Sequence, residues 1–72
     1  MNKPTLFTQK GCGMCKAIHM LLDKKNIDYD EIIITLENVE FYREKGIMST
    51  PTLVVDGQLL SGKELKDWVA SR

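Results

Sequence analysis

The chain has few of the residues and patterns that mark several large classes of protein. Its 72 residues include two cysteines, one histidine and two prolines, and ten Lys and Arg balance ten Asp and Glu. Without a net charge, nothing draws the chain to nucleic acid or to an anionic membrane surface. No apolar run approaches the roughly 20 residues of a membrane span, and no signal peptide precedes the first strand-like run. We expect a cytoplasmic protein that binds neither nucleic acid nor membranes.

A chain of this length is expected to form one domain, residues 1–72, with a thin core. Such a chain buries only about 60% of the surface that it exposes when unfolded. Apolar residues make up 43% of the sequence and charged residues 28%, which is typical of a folded globular domain and not of a disordered segment.

The two cysteines, Cys12 and Cys15, stand three positions apart where a strand-like run gives way to a helix-like run. A disulfide between such close residues cross-links little chain, so a structural role explains it poorly. The start of a helix has free N–H groups and the positive end of the helix dipole, and both stabilise a thiolate. A Cys-x-x-Cys pair at such a junction is typical of dithiol–disulfide exchange.

Helical geometry predicts a different role for each cysteine. At 100° per residue the two lie about 60° apart, so one sulfur can attack a mixed disulfide formed on the other. Cys12, at the start of the helix, is expected to be the exposed attacking thiol, and Cys15 the more buried resolving thiol. Lys10 and Lys16 add positive charge, so we expect the thiol pKa of Cys12 to lie below its ordinary value of about 8.5.

Two other interpretations of the cysteines remain open. They can be packed, inert thiols, or they can be half of a metal site. His19 is the one further soft ligand, one turn beyond Cys15, and the chain has no fourth Cys or His. We therefore expect no metal in a single chain, and we interpret His19 as a solvated residue on the polar flank of the helix.

The first half of the chain predicts two parallel strands joined by a helix. Thr5 to Thr8 is prone to form a strand, and apolar residues from Met14 to Leu22 recur at helical spacing, with Asn26 able to end the helix. Tyr29 to Thr35 holds three consecutive isoleucines, which favours a buried second strand. This succession favours a parallel pair with a right-handed crossover.

The second half predicts a helix, a hairpin and a last helix. Leu36 to Lys45 is expected to be helical, with Leu36, Val39 and Tyr42 on one face and Gly46 after its end. The dipeptide at 56–57, Asp-Gly, predicts a hairpin that joins strands over 52–55 and 58–60. Ser61 and Glu64 have the spacing of a capping box. The predicted fold is α/β, in the order β-α-β-α-β-β-α, with a four-stranded mixed sheet flanked by three helices.

Three motifs in this order resemble those of the glutaredoxins, or of the NrdH-type redoxins that serve ribonucleotide reductase. They are Phe7-Thr8 ahead of Lys10-Gly11-Cys12-Gly13-Met14-Cys15, Thr50-Pro51 before Leu53-Val54-Val55-Asp56-Gly57, and Ser61-Gly62 at the last helix. The resemblance covers nearly the whole chain and implies a minimal thioredoxin fold. It also implies a cis Thr50-Pro51 bond beside the cysteines, whereas the local sequence alone favours an ordinary strand start because cis bonds are rare.

The resemblance further implies a groove that binds glutathione, the reductant, without a metal. The residues that match the family's groove are Lys10, Thr50, Pro51, Ser61, Gly62 and Lys63. Lys10 would pair with the glycyl carboxylate, the Thr50 backbone with the cysteinyl part, and the N–H groups at the start of the last helix with the γ-glutamyl carboxylate. The expected partners of this monomer are glutathione and client proteins with disulfides, such as ribonucleotide reductase, methionine sulfoxide reductase or a peroxiredoxin.

Departures from the family leave other functions open. Gly13-Met14 replaces the Pro and aromatic residue found in many glutaredoxins, and the short chain is similar to an NrdH-type redoxin recycled by thioredoxin reductase. Some glutaredoxins bridge a [2Fe–2S] cluster between two chains, which a small residue such as Gly13 favours and Cys15 opposes. A third alternative is a protein that only binds its partner, through the backbone edge at Thr50, and carries out no thiol–disulfide exchange.

Overall fold

A four-stranded sheet with helices on both faces forms the protein. The computed structural model describes residues 3–72, so the predicted beginning of the domain at residue 1 lies outside the described residues. The elements are β1 (Thr5–Gln9), α1 (Gly13–Lys24), β2 (Asp30–Ile34), α2 (Val39–Glu44), β3 (Thr52–Val55), β4 (Gln58–Ser61) and α3 (Gly62–Ala70). The strands lie in the order β2-β1-β3-β4, with β1 and β2 parallel and the other two pairs antiparallel. The predicted fold is confirmed.

Two apolar clusters hold the helices on opposite faces of the sheet. Successive residues of a strand point to opposite faces, and in β1 the buried Leu6 and Phe7 belong to different clusters. The Leu6 cluster joins β1 and β3 to α1 and α3, and it consists of Leu6, Ile18, Leu22, Leu53, Leu65 and Val69. The smaller Phe7 cluster packs α2 against the other face, through Val39 and Tyr42. This packing fixes the start of α1 beside the end of β1.

The chain reverses where the sequence predicts it. Asp56 and Gly57 have positive φ angles of 49° and 82°, which is the conformation of the two-residue hairpin turn that Asp-Gly favours. Asn26 follows α1 and Gly46 follows α2, with φ of 56° and 96°, as left-handed residues commonly do at helix ends. Among residues 3–72, no helix is long and apolar enough to span a membrane.

The three isoleucines lie in the predicted second strand, but the prediction that this strand is buried is wrong. β2 is an edge strand, paired with β1 alone. Ile34 is buried in the Phe7 cluster, but Ile33 points to the opposite face and is 50% exposed. Ile33 is exposed because it lies on the α1 face at the outer edge of the sheet, where it borders an open cavity.

The second helix is shorter than predicted, and Leu36 does not lie on its inner face. α2 begins at Val39, and Leu36 is 98% exposed in the preceding turn. The side chain of Asn38 closes that turn: its Oδ1 accepts from the Thr35 N–H at 2.7 Å, and its Nδ2 donates to the Ile33 carbonyl at 3.0 Å. These bonds close a turn between Thr35 and Asn38, and α2 follows at Val39.

The predicted capping box at the third helix is absent. Ser61 is the residue before α3, but its side chain makes no capping hydrogen bond. Ser61 is also the last residue of β4, paired with Thr52, so the sheet sets its orientation. Gly62 then turns the chain with a φ of 56°.

Candidate active site

The two cysteines occupy the first turn of α1 and are joined by a disulfide, with their Cα atoms 5.3 Å apart. The carbonyl of Gln9, the last residue of β1, accepts a hydrogen bond from the Cys12 N–H at 3.3 Å, which closes the turn into the helix. Cys12 is the N-cap, with extended backbone angles, and its Sγ accepts from the Cys15 N–H at 3.1 Å. Cys15 is only 3% exposed, whereas Cys12 is half-buried.

This geometry gives the two sulfurs different chemistry once they are reduced. A thiolate on Cys12 keeps a backbone N–H donor and the positive end of the α1 dipole. Cys15 lies on the same buried face of α1 as Ile18 and Leu22, which belong to the Leu6 cluster. Its sulfur is shielded from solvent, and an apolar environment disfavours a thiolate. The more accessible sulfur is therefore also the one on which negative charge is better stabilised, as the predicted attacking role of Cys12 requires.

The loop before β3 lies against Cys12. The Thr50-Pro51 bond is cis, as the resemblance implied and the local sequence did not. The Thr50 hydroxyl lies 3.9 Å from Cys12 Sγ and 3.4 Å from Gln9 Oε1, each within hydrogen-bonding reach. Thr50 is thus in position to contact whatever sulfur is bonded to Cys12.

A groove on the Thr50 side of the disulfide brings together four of the six residues predicted to bind glutathione. This Thr50 groove has a volume of about 320 Å³. Its lining includes Met14, Ser49, Thr50, Pro51, Ser61 and Gly62. A smaller concavity of about 140 Å³ shares Ser49 and Thr50 with it and extends it toward Gln9 and Arg43. The two concavities adjoin at Ser49 and Thr50, and we refer to them together as the path past Thr50.

The two lysines predicted to bind glutathione lie elsewhere. Lys10 lines a cavity on the other side of the disulfide. Lys63 does not line the Thr50 groove, but Lys66 does. The spacing of residues along α3 explains this difference. Because α3 begins at Gly62, the residues three and four positions later, Leu65 and Lys66, share its face of the helix, while Lys63 points away from that face. Lys66, in the Thr50 groove, and Arg43, in the adjoining concavity, are cations that the sequence did not predict here, and the start of α3 at Gly62 is the signal that points to Lys66.

The cavity that contains Lys10 holds a polar network which the sequence analysis also missed. This His19 cavity has a volume of about 370 Å³, and its lining includes Thr8, Cys12, Cys15, Lys16, His19 and Glu31. The sequence predicted a solvated His19, but the structure shows a partly buried side chain with two hydrogen-bonding partners. Its Nδ1 lies 2.6 Å from the Tyr29 hydroxyl and its Nε2 lies 2.9 Å from Glu31 Oε2. Tyr29 and Glu31 stand two residues apart, the spacing that puts both on one face of an extended chain.

Burial raises the pKa of Tyr29 above its ordinary value of 10.0, and the negative charges of Asp23 and Glu31 raise it further. The raised pKa favours the protonated hydroxyl of Tyr29, which lies within hydrogen-bonding distance of His19 Nδ1. In residues 3–72, no three His, Cys, Asp or Glu side chains are grouped closely enough to hold a metal ion.

The Glutaredoxin family model matches residues 5–60, a stretch that includes both cysteines, the cis proline and the hairpin. The chain belongs to the glutaredoxin family. Membership and the Cys12–Cys15 pair together indicate thiol–disulfide redox activity. No curated protein matches the chain.

Solved structures similar to this glutaredoxin-family protein share its thioredoxin-like fold. The thioredoxin-like protein BC3987 is 25% identical, with a TM-score of 0.70 over 92% of this chain and 94% of its own. The glutathione S-transferase Na-GST-3 of the hookworm Necator americanus is 21% identical, with a TM-score of 0.80. That match covers 97% of this chain but 35% of the transferase. A glutathione S-transferase of the Antarctic clam Laternula elliptica is 24% identical, with a TM-score of 0.70, and is matched over 33% of its length.

Proposed function

We propose that this glutaredoxin-family protein is a dithiol oxidoreductase that reduces protein disulfides or glutathione mixed disulfides, with glutathione as its reductant. The observation that carries the proposal is the asymmetry of the pair: Cys12 is accessible at the helix N-terminus and receives the Cys15 N–H, while Cys15 is buried one turn inward. Its clients are disulfide-containing proteins of the cytoplasm, where a reducing environment keeps such a pair cycling.

The reaction is two successive thiol–disulfide exchanges. The Cys12 thiolate attacks one sulfur of the client disulfide, and the other client sulfur leaves as a thiolate and takes up a proton. The Cys15 thiol then loses its proton and attacks Cys12 Sγ. A Cys12–Cys15 disulfide forms, and the second client sulfur leaves and is protonated. The client gains two electrons and two protons, which two glutathione thiols restore to the protein as they become glutathione disulfide.

The Thr50 groove suits glutathione, an extended tripeptide with carboxylates at both ends. Thr50 and Pro51 lie beside the reacting sulfur, so the cysteinyl part belongs there. One end of the path has the start of α3 at Gly62 and the ammonium group of Lys66, and the other has Arg43. Both ends can hold a carboxylate, because backbone N–H groups at a helix start and cationic side chains bind anions. Lys10, across the disulfide, adds positive charge near Cys12 without lining the groove.

A coupled assay of NADPH consumption tests the reductant. Reduction of a small disulfide is followed with glutathione plus glutathione reductase, and in parallel with thioredoxin reductase. We expect turnover with glutathione. Turnover with thioredoxin reductase alone would make the protein an NrdH-type redoxin and refute the glutathione groove.

The two lysines of α3 provide a matched pair for the groove. Lys66→Gln is expected to raise the KM for glutathione by about two- to fivefold, the effect of losing an exposed ion pair of up to about 1 kcal/mol. Lys63→Gln, on the same helix but outside the groove, should leave the KM unchanged. Equal effects of the two substitutions would contradict the assigned position of glutathione.

A further inference from the structure

The His19 cavity lies on the opposite side of the disulfide from the Thr50 groove, and the proposed reaction has not used it. Cys15 and His19 are four residues apart on α1, so their side chains are neighbours on one helix face, with about 5–6 Å between their Cβ atoms. Both line the cavity, and Glu31 reaches it from β2. A cavity of about 370 Å³ that is bordered by the polar side chains of Thr8, His19 and Glu31 admits water. The buried sulfur is therefore connected by solvent to an imidazole and a carboxylate.

Two hydrogen bonds orient that imidazole, and in neutral His19 they select one tautomer. Glu31 Oε2 accepts from the Thr8 hydroxyl at 2.7 Å and lies 2.9 Å from His19 Nε2. An ionised carboxylate can only accept, so Nε2 carries the proton of neutral His19. The Tyr29 hydroxyl donates to Nδ1 at 2.6 Å. Nδ1 is then the ring nitrogen that carries no proton, a further proton reaches it by way of the Tyr29 hydroxyl bonded to it, and the carboxylate at Nε2 stabilises the imidazolium that results.

Cys15 needs such a partner because its proton must leave and return in every cycle. In the resolving step the thiol must become a thiolate in a buried position, and when the disulfide is reduced again the released thiolate must be protonated. The other charged side chains that border the cavity are Lys10 and Lys16. The ammonium group of a lysine has donors only and no acceptor for a further proton. Asp23, one turn beyond His19 on α1, acts on Tyr29 and does not line the cavity.

We infer that His19 is the proton acceptor and donor of the Cys15 thiol, with Glu31 positioning it and stabilising its charged form. In the resolving step the proton leaves Cys15 Sγ through cavity water and passes to the Tyr29 hydroxyl, which gives its own proton to His19 Nδ1 and then accepts the resulting N–H. The electron pair left on Cys15 Sγ forms the bond to Cys12 Sγ, and the client or glutathione sulfur leaves with the electrons of the broken bond. The reverse step returns the proton. This inference rests on the proposed function, in which Cys15 is the resolving thiol.

The resolving step can be isolated in a single turnover. One equivalent of a chromogenic aromatic disulfide is mixed with the reduced protein: the first aromatic thiolate released reports attack by Cys12, and the second reports attack by Cys15 on the mixed disulfide. For His19→Gln and Glu31→Gln, the second phase should slow by about tenfold or more near pH 6.5, within the usual range for general acid–base assistance. Near pH 9.5, where the higher hydroxide concentration can deprotonate the thiol in place of His19, both variants should approach the rate of the unmodified protein.

The pH dependence separates proton exchange from a structural role. An equal slowing at both pH values would show that the variants merely disturb α1, and no slowing at either would show that Cys15 exchanges its proton without His19; either result overturns the inference. Glu44→Gln makes the same chemical change on α2, outside the cavity. Its second-phase rate should equal that of the unmodified protein at both pH values. If the unmodified protein releases no second thiolate at any pH, the resolving role of Cys15 fails and the proposed function fails with it.

Discussion

At the scale of single residues, the two cysteines differ through their surroundings. Cys12 Sγ accepts the Cys15 N–H and lies within reach of the Thr50 hydroxyl, while Cys15 is buried. The Cys-x-x-Cys spacing at a strand–helix junction was enough to predict this difference. The surroundings of His19 were not predictable in the same way, because Tyr29 and Glu31 reach it only through the parallel pairing of β1 and β2.

Tyr29 gives the protein a stability that depends on pH at the alkaline end. Its pKa is raised in the folded state, chiefly by burial, so the unfolded chain loses this proton first as the pH rises. The contribution of Tyr29 is therefore fully present below about pH 10 and is lost as the pH rises through the folded-state pKa. Tyr29→Phe, which removes one hydrogen bond, should cost about 0.5–1.5 kcal/mol at neutral pH.

Urea unfolding of the unmodified protein and of Tyr29→Phe at several pH values measures the contribution of Tyr29 to stability. The difference in unfolding free energy between the unmodified protein and Tyr29→Phe should shrink as the pH rises above about 10. A difference that stays constant with pH would show that the folded state does not hold the Tyr29 proton.

At the scale of elements, the start of α1 and the hairpin turn depend on backbone conformation. Gly57 has a φ of 82°, and nothing lies within 4 Å of a Cβ added there. The cost of Gly57→Ala therefore comes from the backbone conformation and not from a steric clash. We expect it to destabilise the fold by about 1–2 kcal/mol. Gly13, in α1, has the same open space without a positive φ, so Gly13→Ala should stabilise by about 0.5–1 kcal/mol.

Thermal or urea unfolding of the two glycine variants provides the comparison. We expect Gly57→Ala to lower the free energy of unfolding and Gly13→Ala to raise it. Destabilisation by Gly13→Ala of the same size as that by Gly57→Ala would contradict the assigned conformation of the α1 start.

Most elements were predictable, since periodicity and turn residues act locally. The strands of the hairpin and the first helix follow from Asp56-Gly57 and from the apolar stripe of α1. The errors came from contacts between distant segments or from side chains that bond the backbone. Ile33 is exposed because β2 is an edge strand, and Leu36 is outside α2 because Asn38 closes a turn before it. Neither cause is visible in a hydrophobic pattern.

At the scale of the whole molecule, the small Leu6 cluster supports the active site because it holds α1 on the sheet. Leu53 is fully buried in it, and Leu53→Ala should cost about 2–5 kcal/mol. That is a large share of the stability of a domain this small, which is on the order of 4–11 kcal/mol. Leu36→Ala, the same change at a residue that is 98% exposed, should stay within about 0.5 kcal/mol.

Denaturant midpoints of the two leucine variants test the fold as a whole. The expected result is a large loss for Leu53→Ala and almost none for Leu36→Ala. A comparable loss of stability for both variants would mean that Leu36 is buried, as the sequence predicted, and would contradict the described packing.

The central claim is that Cys12 attacks and Cys15 resolves, and trapping the mixed disulfide tests it most directly. Each single variant, Cys12→Ser and Cys15→Ser, is reduced, incubated with glutathione disulfide and weighed intact by mass spectrometry without reductant. We expect Cys15→Ser to accumulate one glutathione on Cys12, because nothing resolves it, and Cys12→Ser to stay unmodified over the same time. Rapid modification of Cys12→Ser, or a Cys15→Ser protein that remains free, would contradict the account.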